Sequence, residues 1–186
     1  MKFLLSFLLS FILFFFGCAD SPNSPVETKN DSYSSIRLPA KTGFSVESSF
    51  SVTKEIKGAQ GGILEINESY ISADGGIVNV IGLLRIPKHA FKGKQDITFT
   101  IDDQIAAAKF TPHMVFDIPV ELKLEFEGIS INEIQNIGRK YDFLYFDDNG
   151  NTEEVNHSDI IVVQWAGKIM VEQAFLNHFS RYAFTR

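Results

Sequence analysis

Val120, Leu122, Leu124 and Phe126 alternate with Glu121, Lys123 and Glu125. A period of two puts the four apolar side chains on one face of an extended strand and the three charges on the other, a division that a helix of 3.6 residues per turn does not make. Ile97, Phe99 and Ile101 repeat the rhythm around Thr98 and Thr100, and Tyr182 with Phe184 repeats it near the end of the chain. Ile160 to Trp165 is apolar at nearly every step, which predicts a strand covered on both faces and puts Trp165 in the core.

Turn formers separate these runs: Gly61-Gly62, Asp74-Gly75-Gly76, Lys92-Gly93-Lys94, Asp102-Asp103, Asp147 to Asn151, and Gly167. Many short strands punctuated in this way predict an all-β sandwich or barrel. Pro87 and Pro119 lie beside apolar strand residues, where a missing amide donor suits a strand end, an edge or a bulge. Ala106-Ala107-Ala108 favours helix by propensity, yet it is too short to nucleate one between strand-like neighbours, and it is assigned to a strand. Ile131, Ile134 and Ile137, followed by Gly138, predict one short helical piece.

The first residues say where the chain goes rather than how it folds. After Lys2, residues 3–16 are Phe, Leu, Ile and two serines, and Gly17 precedes Cys18, the only cysteine. This is the layout of a bacterial lipoprotein signal, cut before Cys18 with lipid added to its sulfur. Phe15 and Phe16 stand where such signals usually carry Leu and a small residue. A membrane-spanning helix needs roughly 20 apolar residues, and this run ends at Cys18 before Asp20, Ser21 and Pro22. Residues 1–17 are therefore expected to be a signal peptide. Residues 18–41, rich in Ser, Pro and Asn, are expected to be a lipidated tether, and 42–186 the folded domain. Ala19 after the lipidated residue is not the aspartate that retains enteric lipoproteins in the inner membrane, so an outer-membrane location is expected where one exists.

Removing the signal takes away Lys2 alone among the charged residues and moves the formal charge from −6 to −7. An acidic domain without a Lys/Arg cluster repels phosphate backbones and anionic headgroups, which argues against nucleic-acid binding and against direct lipid-surface binding by the domain itself. The acyl chains on Cys18 alone are then the expected membrane contact, each buried methylene contributing about 0.8 kcal/mol. With its one cysteine lipidated, the chain has no intrachain disulfide to make.

Motifs for turnover are missing from the folded part: it has no Gly-x-Ser-x-Gly elbow, phosphate loop, dinucleotide fingerprint or cysteine nucleophile. Asp147-Asp148-Asn149-Gly150-Asn151 has the oxygen ligands of a calcium loop with its glycine misplaced, and it reads better as a hairpin turn. His89, His113 and His157 have no zinc spacing. Glu153-Glu154 falls in a predicted turn, as a solvated acidic pair. No metal and no cofactor is expected.

An ordered set of segments carries a resemblance. Ile56 to Leu64, Leu84-Arg85-Ile86-Pro87-Lys88-His89-Ala90-Phe91, Asp96 to Thr100, Phe110 to His113, Phe116 to Leu122 and His178 to Tyr182 together look like the ZU-five domain of zonula-occludens scaffolds, netrin receptors and ankyrins. Lys88 and His89 stand where that family usually has small residues. The resemblance implies a single β-sandwich, mostly antiparallel, that makes protein contacts and is not an enzyme.

His178-Phe179-Ser180 also resembles the cleavage motif of the nucleoporin autoproteolytic domain. In that chemistry His178 takes the Ser180 hydroxyl proton, the oxygen attacks the Phe179 carbonyl, and the ester hydrolyses. Packing of Phe179 and Tyr182 in a last strand explains the same residues without chemistry. The expectation for the whole chain is a lipid-anchored extracytoplasmic module binding a protein or envelope component. Self-processing at Phe179-Ser180 and a glycan-binding or glycan-hydrolysing surface protein are the alternatives. An exposed aromatic platform would favour the glycan, and an unpaired apolar sheet edge would favour strand addition by a protein.

Overall fold

The computed structural model describes residues 33–42, 49–129, 141–147, 149 and 151–186. Cys18, the signal segment and the Ile131–Ile137 helical expectation lie outside them. The described residues form a β-sandwich of two antiparallel sheets. The strands are β1 (Ser51–Lys57), β2 (Gly62–Ile71), β3 (Ile77–Ile86), β4 (Lys94–Ile101), β5 (Ala107–Thr111), β6 (Val115–Glu127), β7 (Asp142–Phe146), β8 (Thr152–Glu154), β9 (Asn156–His157), β10 (Ile160–Val163), β11 (Lys168–His178) and β12 (Arg181–Thr185). One sheet has the order β1-β4-β5-β12-β7-β8, and the other β10-β11-β6-β3-β2 with β9 also on β11.

Alternation places the core between the sheets. Val120, Leu122, Leu124 and Phe126 of β6 are fully buried, as are Ile97, Phe99 and Ile101 of β4 and Tyr182 and Phe184 of β12. Gly82 of β3 makes room for a ring, since a Cβ there would stand 2.4 Å from the Phe99 side chain. Pro87 directly follows β3, and Pro119 lies where β6 and β11 slip register, so each proline occupies a break in the ladder. Ala107 and Ala108 are strand residues, fully buried with Ala106. β5 runs between β4 and β12, its Phe110 ring 6.2 Å from that of Tyr182 on the neighbouring strand.

Trp165 departs from the expectation of a core residue. It is 91% exposed, in a 3-10 turn over Gln164–Ala166. The apolar run before it, β10, is a half-buried edge strand of four residues and not a strand covered on both faces. Glu153 and Glu154 likewise sit in edge strand β8 rather than in a turn.

Residues 33–41, which composition gives to the tether, run along the sandwich. Ser35 bridges Thr185, Arg37 bridges Ile105 and Lys41 bridges Ser72, while Ile36 is buried. The compact unit accordingly starts at Tyr33. The Tyr70 hydroxyl pins this lead segment by donating to the Pro39 carbonyl at 2.9 Å. Burial pushes the Tyr70 phenol up from 10 to about 12. A raised folded-state value means that the neutral phenol supports the fold below pH 10 and that this support is lost as pH rises from about 10 to about 12. Alkaline melts should therefore show a drop in melting temperature across that window that Tyr70→Phe attenuates.

The two ends of the sandwich differ. Phe126 near the end of β6 meets Phe184 near the end of β12, with ring centroids 6.2 Å apart, so these termini share one end. That end also carries the lead segment, the turn between β2 and β3, and the Trp165 turn, because the Gly128 amide after β6 donates to the Ala166 carbonyl at 3.1 Å. It is called the entry end. The β1–β2 turn, the β7–β8 hairpin and the β11–β12 connection lie at the far end.

Candidate functional site

His178, Phe179 and Ser180 form the connection by which the chain leaves one sheet for the other, from β11 to β12. Phe179 is fully buried, stacked on Phe110 with centroids 5.0 Å apart and edge-on to Phe116 at 4.6 Å. Its amide donates to the Met114 carbonyl at 2.8 Å, and the Ser180 carbonyl accepts the Phe110 amide at 2.8 Å. The corner is therefore pinned to both sheets. The Ser180 hydroxyl donates to the Phe146 carbonyl at 3.4 Å. His178 Nε2 faces Glu153 at 3.8 Å, and Nδ1 is buried without a hydrogen-bond partner. The motif is thus contiguous in the chain, but no hydrogen bond links the histidine to the serine.

His178 instead belongs to an aromatic cluster. Its ring stands edge-on to Tyr145 at 4.4 Å, 6.2 Å from Tyr182 and 6.2 Å from His113. The Tyr182 hydroxyl donates to the His178 carbonyl at 2.5 Å, and burial holds that phenol well above its ordinary range. His178, Tyr145 and Tyr182 line a cleft of about 200 Å³ at the far end, open between the β7–β8 edge of one sheet and β9–β11 of the other. Glu153, Glu154, Asn156 and Asn177 supply its polar wall, with Tyr145 and Tyr182 as its aromatic one. Sequence reading missed this cleft, because its walls come from three separate stretches of chain. The signal within reach was the aromatic pair Tyr145 and Tyr182, which the register sets directly opposite one another.

The remaining candidates have structural duties. Asp147 accepts amides from Asn149 and Asn151 at 2.9 and 2.7 Å and the Asn151 side chain at 2.7 Å. These hydrogen bonds hold its carboxyl below the usual carboxylate range and close the β7–β8 hairpin, with Gly150 outside the described residues. His157 bridges Asp142 at 3.0 Å and the Ser158 carbonyl at 2.5 Å. Exposed His89 has φ +67° and donates its amide to Gly58 at 2.7 Å. Among the described residues no group of three His, Cys, Asp or Glu side chains is arranged to hold a metal ion.

The sheet edges divide by chemistry. β1 presents Lys54, Glu55 and Lys57, β2 presents Glu65 and Glu68, and β8 carries two glutamates. Charge on an edge discourages pairing with another strand, and among the described strands the apolar edge β10 is only four residues long. Compared with protein-family models, curated proteins and solved structures, the chain matches none.

Proposed function

We propose that this chain is a binding module, held at the extracytoplasmic face of a bacterial envelope membrane by lipid on Cys18, which receives its partner in the cleft at the far end. The observation that carries this reading is His178, a cleft-lining side chain with a buried nitrogen that has no partner. A buried polar atom left unsatisfied costs about 1–3 kcal/mol, and an imidazole that turns toward the cleft to meet an incoming hydrogen-bonding group removes that cost. The Tyr145 ring beside carboxylates and amides suits a peptide segment of a protein or envelope component. The segments that resemble the ZU-five domain support the protein-contact reading, since that family's sandwich is used for such contacts. A glycan would use the same cleft, so what is captured there separates the two.

Self-cleavage between Phe179 and Ser180 has less in its favour. The serine hydroxyl is committed to Phe146 and His178 Nε2 faces Glu153, so proton transfer between the pair requires both side chains to turn.

A photo-crosslinking residue at Glu153 in the full lipidated chain, expressed in its own envelope, tests the binding reading. We expect one dominant adduct that His178→Ala abolishes, with a control probe at Glu65 on the opposite edge giving none. Equal labelling at both positions, or an adduct indifferent to His178, sinks the cleft as the binding site.

A further inference from the structure

We propose that the entry end of the sandwich is a bilayer-facing surface, with Trp165, Ile77 and Ile71 resting among the headgroups of the membrane that anchors Cys18. The inference rests on the tethered reading above and adds a second contact to it.

The exposure of Trp165 is built into its turn. Gly167 closes the turn in the left-handed region, φ 57° and ψ 37°, its amide donating to Gln164 at 3.0 Å. Gly128 and Ile129 then clamp the turn by donating to the carbonyls of Ala166 and Gly167 at 3.1 and 3.0 Å. Across Gly128 the rim continues to Ile77, whose carbonyl lies 2.0 Å from where a Cβ on that glycine would stand. Ile77 pairs in turn with Ile71, and the two are 62% and 57% exposed. Of the other exposed apolar side chains on strands, Ile63, Val115 and Ile118 lie away from this rim, and Ile161 is on β10, which leads into the Trp165 turn.

The chain outside the domain leaves from this same end. The Thr42 amide donates to the Ile71 carbonyl at 3.0 Å and the Ala73 amide to Ala40 at 2.7 Å, so the lead segment runs beside the rim. Tyr33, itself 40% exposed, marks where the domain begins. Only the 14 residues 19–32 separate it from Cys18, a span of at most about 50 Å when fully extended. An anchor at Cys18 therefore leaves the entry end, where the chain departs, within reach of the bilayer. The tether also holds the rim at high local concentration, so a contact too weak to recruit the free domain still forms.

The chemistry selects the occupant. An indole with one N–H beside branched aliphatic chains belongs at a membrane–water boundary. Asp74, Asp102 and Asp103 occupy turns of the same end, which favours shallow contact with zwitterionic rather than anionic headgroups.

Because the chain has a single tryptophan, its fluorescence reports this rim alone. The full lipidated chain is reconstituted into phosphatidylcholine vesicles, with and without lipid brominated near the headgroup, and flotation is measured in parallel. The expected result is a floating protein whose emission is quenched by the brominated lipid and shielded from acrylamide, with quenching reduced by Ile71→Ser/Ile77→Ser. Flotation with water-like emission and full acrylamide access overturns the rim and leaves the anchor standing. A blue shift without bromolipid quenching marks a second copy on this surface and also overturns it. A chain that does not float overturns both.

Discussion

Phe179→Ala is expected to destabilise the domain by about 3–5 kcal/mol, the range for emptying a buried phenylalanine site. The ring is fully buried between Phe110 and Phe116, and its backbone is fixed at both neighbours, so the corner has little freedom to collapse into the space. Domains of this kind are stable by about 5–15 kcal/mol, and a loss of that size leaves a fraction unfolded that urea titration resolves at once. Ser180→Ala removes one long hydroxyl contact to Phe146 and should cost less than about 1 kcal/mol. The two neighbours in one motif thus make opposite predictions for packing and for chemistry. If the segment is a structural corner, Phe179→Ala dominates and the intact mass of the chain ends at Arg186 in wild type and in Ser180→Ala alike. A wild-type mass lacking residues 180–186 that Ser180→Ala restores would move the motif from packing to self-processing.

Gly128→Ala is the second large effect. The position has φ +80°, where a side chain strains the backbone, and its Cβ would meet the Ile77 carbonyl carbon at 3.1 Å as well as the oxygen at 2.0 Å. Main-chain atoms cannot rotate away as a side-chain tip does, so the strand end has to shift. We expect about 3 kcal/mol of destabilisation in a denaturant titration, from the strained conformation and the overlap together. Gly75→Ala is the control, because φ there is +86° but nothing lies within 4 Å, leaving backbone strain of roughly 1 kcal/mol alone. Equal losses in the two variants would show that the close approach to Ile77 contributes nothing.

What could be read from the sequence, and what could not, follows from the distance over which each feature is decided. The alternation of Val120 to Phe126 is decided within one strand, and those residues face the core as expected. The β7–β8 hairpin was legible for the same reason, since Asp147 accepts hydrogen bonds from residues two and four further on. Trp165 was not legible. The apolar run that suggested burial is an edge strand, and a turn clamped by Gly128 and Ile129, far away in the chain, presents the ring to solvent. β11 hides its alternation behind register shifts between Val171 and Ala174 and between Leu176 and His178, so no single period fits it. The cleft depends on Tyr145, Glu153 and His178 meeting across two sheets, which no local pattern encodes. The lead segment was misread because Ser35, Arg37 and Lys41 bond through their backbones to distant partners, while their side chains carry the composition of a linker.

That lead segment also determines how the domain responds to a pull. Ser34 and Arg186 exchange backbone hydrogen bonds at 3.2 and 3.1 Å, and the following attachments come one at a time, at Ile36, Leu38 and Ala40. A pull on the chain ahead of Tyr33 loads these bonds in sequence rather than together, so they open like a zipper at low force. The first structure to yield is then ten residues of lead strand, which release slack while the twelve-stranded body stays folded. The segment acts as a mechanical fuse between whatever pulls on the chain and the sandwich.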